Sequence, residues 1–174
     1  MLKEFVELCI QENTKNLHEV SEETYSKITP NMRVHMTSHP EPKIPSGQQR
    51  VGFKPVGLWY GLGTEWIDWV REEMPEWESE NVFEIKIDES RILKIDSEAG
   101  IRDLTREFGL SYRSPSGGVY DIDWPRIAKL YSGIEISPYQ RGMRYDKVAS
   151  WYYTWDIASG CIWGNDVIKK MQKI

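Results

Sequence analysis

Cysteine and histidine are scarce in this chain of 174 residues. The two cysteines, Cys9 and Cys161, lie far apart, and the three histidines form neither an HExxH pattern nor a pair at ligand spacing. A structural or catalytic zinc site is usually built from such residues at set spacings, so no metal site is expected. Two distant cysteines also indicate reduced thiols in an intracellular protein rather than a disulfide framework.

The chain also lacks a long apolar run and an excess of basic residues. No stretch approaches the roughly 20 apolar residues that span a bilayer, and the opening MLKEFVELCI has no basic region or small-residue cleavage site of a signal peptide. The net charge of -5 disfavours duplex nucleic acid as the main partner, although a local basic groove stays open. We therefore expect a cytoplasmic protein that does not contact membranes.

The length and composition predict one domain of the α+β class. A chain of this size that is 40% hydrophobic can bury a core of its own. The predicted order is helix, helix, strand, loop, strand, helix, strand, strand, helix, helix, strand, strand, strand, helix. Because these elements neither alternate nor segregate, we expect a mostly antiparallel sheet with peripheral helices.

Alternating apolar and polar residues bounded by turn residues predict the strands. Apolar residues at helical spacing, preceded by capping residues, predict the helices. The predicted strands are NMRVHMTS, VGLWYG, NVFEIKID, RILKID, IEIS, SWYYTWD and GCIW. The predicted helices are LKEFVELCIQENTKNL, SEETYSKI capped by its first residue Ser21, EWIDWVREEM after Thr64, SEAGIRDLTREF before Gly109, WPRIAKLY after Asp123 and DVIKKMQK after Asn165.

Aromatic residues and glycines are concentrated in GFKPVGLWYGLGTEWIDWV, which follows a long loop rich in proline and glycine. Such a loop inside a small domain is usually functional. Trp59 and Tyr60 are successive strand residues, so only one of them can face a cleft. Trp66 and Trp69 have the i, i+3 spacing of a helix face, which favours a place in the core over a place in the wall of a ligand site.

Several segments in order resemble the ADP-ribosyltransferase fold. They are His35-Met36-Thr37-Ser38, the proline-rich loop, GLWYG, FEIKIDESRILKID and GIEISPY with GCIWGNDVI. The resemblance covers about residues 31–174 and leaves residues 1–30 as an N-terminal helical appendage. It implies a split antiparallel sheet that holds NAD in a central cleft, with three motifs on separate strands.

The first two motifs point to the histidine-type branch of that family. His35 in HMTS corresponds to the first motif, and Trp59 or Tyr60 in GLWYG corresponds to the second. The cleft is expected between the strands that carry these residues, with the loop from Pro40 to Pro55 along its rim. FEIKIDESRIL also resembles the strand-turn-strand of a phage anti-CRISPR ADP-ribosyltransferase, which implies an effector-like enzyme.

The third motif departs from the family, which usually carries Glu at the start of its last core strand. That position falls on or near Ser159, and the nearest acids are Asp156 and Glu135. Asp156 lies among bulky apolar residues, whereas Glu135 on its strand faces either solvent or a cleft. Two interpretations therefore stay open: an active transferase, and an inactive module that binds NAD or ADP-ribose or blocks a partner.

The resemblance implies a glycosyltransferase that cleaves the nicotinamide–ribose bond of NAD and modifies a protein. Asp156 or Glu135 would stabilise the oxocarbenium-like transition state, as a carboxylate does in glycoside cleavage. The other expected site residues would bind NAD at the ribose hydroxyls or the amide, at the nicotinamide ring and at the pyrophosphate. They are His35, Thr37, Ser38, Gly57, Trp59, Tyr60, Lys54 and Arg50. Arg33 would pair with a surface acid or bind phosphate.

Overall fold

The computed structural model describes residues 19–43, 48–110 and 117–174. Within these ranges the chain is a mixed α+β structure. Its strands are β1 (Arg33–Thr37), β2 (Leu58–Leu62), β3 (Asn81–Ile87), β4 (Ile92–Ile95), β5 (Gly109–Leu110), β6 (Asp121–Ile122), β7 (Gly133–Ile136), β8 (Ser159–Ile162) and β9 (Ile168–Lys173). Its α-helices are α1 (Glu22–Lys27), α2 (Glu65–Glu73), α3 (Glu98–Phe108) and α4 (Trp124–Ile127).

Seven of the described strands form one sheet in the order β4-β7-β8-β2-β1-β3-β9. All neighbours in this sheet are antiparallel except β4 and β7. The parallel pair is separated in sequence by α3 and α4, because parallel strands need a long crossover. The mostly antiparallel α+β architecture expected from the sequence is thus confirmed.

Capping residues explain where several helices begin. The side chains of Ser21, Ser97 and Asp123 accept hydrogen bonds from backbone N–H groups in the first turns of α1, α3 and α4. Thr64 occupies the corresponding position before α2 but makes no such bond: its backbone is helical (φ -89°, ψ -3°) rather than extended, and its hydroxyl donates to the Asp68 carboxylate at 2.7 Å. The first predicted helix lies outside the described residues.

The last segment is a strand rather than the predicted helix. A 3₁₀ turn at Asn165–Val167 leads into β9, which pairs with the outer edge of β3. Ile168 and Met171 are three residues apart, which suggested a helical face. The register shifts between Lys86 and Ile87, and a bulge of this kind lets side chains three residues apart turn to the same face of the sheet.

The SWYYTWD segment is also not the predicted strand. Ser150–Thr154 forms a 3₁₀ helix. Trp151, Tyr152 and Trp155 are all buried in the same hydrophobic cluster. In a strand, the neighbours Trp151 and Tyr152 would point to opposite faces, so a helical turn is the conformation that buries both on one side.

The sheet separates two hydrophobic clusters. The larger one contains Cys161 and packs α3 and α4 against one face, and the other contains Ile162. Adjacent strand residues point in opposite directions, so these two neighbours mark the two faces. A third cluster joins Val20, Val34 and Ile67. Residues 19–30, the described part of the expected appendage, therefore contribute to the core beside α2.

Gly160 lies where the Tyr60 ring crosses β8. A Cβ atom at Gly160 would come within 2.3 Å of Tyr60 Cζ and 2.7 Å of the Ile134 carbonyl oxygen. We expect Gly160→Ala to lower the free energy of unfolding by about 1–3 kcal/mol, the usual range for overpacking. Urea denaturation measures this. Gly52→Ala is the matched control, since nothing lies within 4 Å of its Cβ position, and it should unfold at or above the parent midpoint.

Candidate functional site

The two central strands of the sheet pair only briefly. The β1–β2 ladder contains Arg33 opposite Leu62 and Val34 opposite Gly61. Beyond Val34, β1 continues to pair with β3, and β2 continues to pair with β8. The pairing of β1 with β2 therefore ends before His35, and the two strands separate in the middle of the sheet.

His35 bridges this opening. Its Nδ1 lies 2.7 Å from the carbonyl oxygen of Trp59. Because a carbonyl can only accept, Nδ1 carries the proton, and the neutral ring keeps a lone pair on Nε2. Burial lowers the pKa of His35 below its ordinary value, and the bond to Trp59 opposes this shift only in part. Burial therefore favours the neutral imidazole over the charged one.

A cavity of about 270 Å³ lies at the opening. It is bordered by both separating strands, by the end of the proline-rich loop and by the segment that leads into β8. Its walls are formed by Val34, His35, Met36, Lys54, Trp59, Tyr60, Gly61, Trp66, Trp155, Asp156, Ile157 and Ser159. The cavity thus brings together five of the residues expected to bind or cleave NAD: His35, Lys54, Trp59, Tyr60 and Asp156.

The aromatic wall of the cavity is built around Trp59. Trp155 meets its ring edge-on at a centroid distance of 5.0 Å. The Lys54 ammonium lies 5.1 Å from the centre of the Trp59 ring, which is the geometry of a cation–π contact. Burial lowers the pKa of Lys54, while the nearby Asp156 carboxylate opposes that shift. The Trp59 face of this wall is thus in contact with a cation, the Lys54 ammonium.

Asp156 provides the carboxylate of the cavity. Its Oδ1 accepts a hydrogen bond from Arg144 Nη2 at 3.2 Å. Among the described residues, no other side chain or backbone group donates to this carboxylate within hydrogen-bond distance. Within those residues, its Oδ2 accepts no hydrogen bond. Arg144 holds the carboxylate from the side of a neighbouring pocket.

Ser159 occupies the start of β8, where the resembled family carries Glu. It lies opposite Gly61 on β2 and Ile136 on β7, and it contributes to the cavity wall. Its hydroxyl donates to the carbonyl of Ile157 at 3.2 Å. A serine carries no charge, and Asp156 is the acid that lines the cavity among the described residues.

Glu135 lies on the opposite face of the sheet, outside the cavity. It accepts hydrogen bonds from Arg33 Nε at 2.7 Å and from the Tyr60 hydroxyl at 2.8 Å. The expectation that Glu135 faces solvent or a cleft is wrong, because it is buried against these two partners. Burial works against the charge of Arg33, yet the ion pair with Glu135 raises its pKa overall.

The register also decides between the two aromatic residues of GLWYG. The Tyr60 ring packs over Gly160 on the side of Glu135, and burial raises the pKa of its hydroxyl well above the ordinary value. The Trp59 ring packs on the other side with Trp155. Trp59 is therefore the residue that offers an aromatic ring to the cavity.

Besides Arg50, which is exposed in the loop and does not line the cavity, three of the expected binding residues lie elsewhere. Thr37 accepts a hydrogen bond from the backbone of His39 at 3.2 Å, and Ser38 borders a separate acidic groove with Glu76 and Glu78. Gly57 packs against β8, where a Cβ atom would come within 2.3 Å of the Ile162 carbonyl oxygen. The structure places none of the three in the wall of the cavity.

Trp66 and Trp69 are half-exposed, so the prediction that both belong to the core is wrong. Ile67 and Val70 form the buried face of α2 instead. The two tryptophan rings stack on each other at 5.0 Å with an interplanar angle of 12°. Trp66 also borders the cavity, which extends the aromatic wall outwards.

Sequence reasoning did not identify two residues of the site. Trp155 is adjacent to Asp156, and its neighbourhood in WYYTWDIASG was the available signal. Nothing in the sequence around Arg144 indicated a place in the site, because that place depends on its contact with Asp156, twelve residues further along the chain. Both carry a buried side-chain nitrogen that has no hydrogen-bond partner.

The cavity offers no metal-binding set. Across the described ranges, no three or more His, Cys, Asp and Glu residues come together in a group that could hold an ion. Cys161 is fully buried, and burial raises the pKa of its thiol well above the ordinary value. It is therefore a protonated core residue. Cys9 lies outside the described residues.

In the part of the chain that the structure describes, every helix is too short or too polar to cross a membrane. No protein-family model, curated protein or solved structure matches the chain. The cavity itself is therefore the basis for a functional assignment.

Proposed function

We propose that the cavity binds the nicotinamide end of NAD and that the chain transfers ADP-ribose to a macromolecule, the expected acceptor being a protein. The observation that carries this proposal is the meeting of His35, Trp59 and Asp156 where the two central strands separate. The resemblance noted in the sequence implies a histidine, an aromatic residue and an acid at such an opening.

The aromatic wall supports binding of a flat cation. Nicotinamide in NAD is planar and positively charged, and the face of Trp59 attracts the Lys54 ammonium in the same way. Such an attraction is worth about 0.5–2 kcal/mol, more where water is excluded. Lys54 therefore leaves the ring when the ligand enters, and its charge becomes available to a phosphate.

Neutral His35 supports recognition of a ribose hydroxyl. Its Nδ1–H is held by the Trp59 carbonyl, so the ring orientation is set before a ligand arrives. The lone pair on Nε2 can then accept a hydrogen bond from a hydroxyl group. A fixed acceptor loses little conformational freedom on binding, which favours affinity.

The size of the cavity fits one half of a dinucleotide. Small-molecule sites commonly enclose about 300–1,000 Å³, and this cavity encloses about 270 Å³. The nicotinamide and its ribose can enter, and the adenosine half must extend beyond the cavity.

Asp156 carries the proposed chemistry. The bond between the ribose carbon and the nicotinamide nitrogen breaks, and its electron pair leaves with nicotinamide. The carboxylate stabilises the positive charge that develops on the ribose. An acceptor hydroxyl or amine then bonds to the same carbon and gives its proton to Asp156.

A second function, NAD or ADP-ribose binding without transfer, is favoured by one observation. Ser159 stands where the resembled family has Glu, and Arg144 already pairs with the nearest acid. If the ion pair persists with ligand bound, Asp156 provides less negative charge to the ribose. The chain would then act as a sensor or as a module that blocks a partner.

Two readouts on the purified protein separate these functions. NAD at 100 times its dissociation constant should stabilise the protein by about 2.7 kcal/mol in a thermal unfolding experiment. Chromatography of the same mixture should show free nicotinamide released faster than in buffer. A thermal shift without nicotinamide favours the binding module, and the absence of both rules out NAD as the ligand of the cavity.

A further inference from the structure

A second pocket, of about 400 Å³, lies beside the cavity. We call it the tyrosine pocket, and its walls include Phe53, Tyr120, Arg144, Tyr145, Lys147 and Tyr153. Among the described residues, most of the exposed large apolar side chains line this pocket or lie within two residues, in sequence, of a residue that lines it. These side chains are Val51, Phe53, Tyr120, Tyr145, Val148 and Tyr153. The remaining exposed large apolar side chains, Trp77 and Leu130, do not line the pocket.

The pocket presents aromatic faces together with positive charge. The guanidinium of Arg144 lies 5.9 Å from the ring centres of Tyr145 and Tyr153. These two rings are 5.8 Å apart and tilted by 46°. Tyr145 is 77% exposed, so most of its surface is free to contact a ligand.

The charge balance of the pocket favours an anion. Lys147 in its wall forms no ion pair with any other described residue, whereas Arg144 shares its charge with Asp156 at 3.2 Å. The one acid in the wall, Asp146, pairs with Arg102 at 2.8 Å and accepts the backbone N–H groups of Val148 and Ala149. Its charge is thus compensated within the protein.

The walls are held by buried contacts. Trp151 donates its indole N–H to Thr105 at 2.8 Å, and Trp124 donates to the Gly52 carbonyl at 2.9 Å. Gly52 also exchanges both backbone hydrogen bonds with Ile122 in an isolated β-bridge, which fixes the segment that leads to Phe53. A pocket supported in this way needs little rearrangement to accept a ligand.

We propose that the tyrosine pocket binds a nucleotide, with its base against Tyr145 and Tyr153 and its phosphate beside Lys147. Aromatic side chains stack on any nucleobase, and a neighbouring cation binds the phosphate that every nucleotide carries. The pocket also shares its boundary with the cavity, since Arg144 pairs with Asp156 and Phe53 precedes Lys54. A nucleotide here would lie next to the proposed reaction centre.

The test is isothermal titration with 5′-AMP, in the absence of NAD. AMP should bind more tightly than adenosine, which lacks the phosphate, and than ribose 5-phosphate, which lacks the base. Tyr145→Ala and Tyr153→Ala should each weaken AMP binding by about 5-fold to 150-fold, the range for losing one stacking partner. Lys147→Gln should weaken AMP binding and leave adenosine binding unchanged.

Trp77→Ala is the matched control, because Trp77 is an exposed aromatic residue outside the pocket. It should bind AMP as the parent does. If AMP does not bind at millimolar concentration, or if both tyrosine variants bind it as tightly as the parent, the proposal is wrong. It is also wrong if the parent sediments as a dimer that Tyr145→Ala dissociates without any effect on AMP.

Two competition experiments identify which molecule supplies the nucleotide that binds in the tyrosine pocket. If AMP and NAD compete, the pocket holds the adenosine half of the proposed substrate, and this arm rests on the proposed function. If a single-stranded oligonucleotide displaces AMP while NAD does not, the nucleotide belongs to a nucleic acid strand. Because the AMP titration contains no NAD, a failure of the NAD proposal does not affect its outcome.

Discussion

On the proposed function, we expect Asp156→Asn to reduce the rate of nicotinamide release from NAD by about 10²-fold to 10³-fold, the usual effect of removing one electrostatic contact to a transition state. The substitution keeps the shape of the side chain and removes its charge beside the ribose. Among the acids of the described residues, Asp156 is the one in the wall of the cavity. Initial rates of nicotinamide release at saturating NAD measure the change.

The stability of the Asp156→Asn variant should change little. The lost ion pair with Arg144 is partly exposed, with 34% of the Arg144 side chain and 23% of the Asp156 side chain accessible, and such pairs contribute about 0–1 kcal/mol. The thermal shift with NAD should persist, because His35 and Trp59 are unchanged. If the variant releases nicotinamide at the parent rate, Asp156 does not stabilise the transition state.

We expect Glu135→Gln to lower the free energy of unfolding by about 3 kcal/mol, the lower end of the range for breaking a buried ion pair, because Arg33 keeps a second carboxylate partner. Glu135 and Arg33 are both largely buried, with side chains 7% and 13% accessible. The glutamine amide can still contact Tyr60, but Arg33 loses its buried carboxylate partner and keeps the more exposed Glu89. Urea denaturation followed by tryptophan fluorescence measures this loss.

Glu89→Gln is the matched control for that variant. Glu89 also pairs with Arg33, at 2.7 Å, but 48% of its side chain is accessible. An exposed pair is worth about 0–1 kcal/mol, so the control should unfold close to the parent midpoint. If Glu135→Gln is instead as stable as the parent and loses nicotinamide release, the catalytic role passes from Asp156 to Glu135.

The middle of the fold could be predicted because its signals are local. The strands that contain His35 and Trp59 are short apolar segments bounded by turns, and the structure has both. Alternation along a strand showed that Trp59 and Tyr60 face opposite ways, but it could not say which one faces the cavity. That choice depends on the register with β8, where Gly160 leaves room for the Tyr60 ring.

The remaining features depend on contacts between distant parts of the chain. Arg33 and Glu135 are 102 residues apart, so the sequence could not show that their pairing removes Glu135 from the cavity. The helix predicted after Asn165 failed for a related reason. A three-residue spacing of apolar side chains fits a helix, and it fits a bulged strand only when the free edge of β3 is there to pair with it.

The most direct test of the central claim is a crystal of the protein soaked with NAD. We expect the nicotinamide ring against Trp59 with Lys54 moved off that face, a ribose hydroxyl within hydrogen-bond distance of His35 Nε2, and the free oxygen of Asp156 facing the ribose carbon that bears nicotinamide. Density for NAD on the opposite face, beside Arg33 and Glu135, would contradict the account. So would a cavity that stays empty at an NAD concentration that shifts the thermal unfolding of the protein.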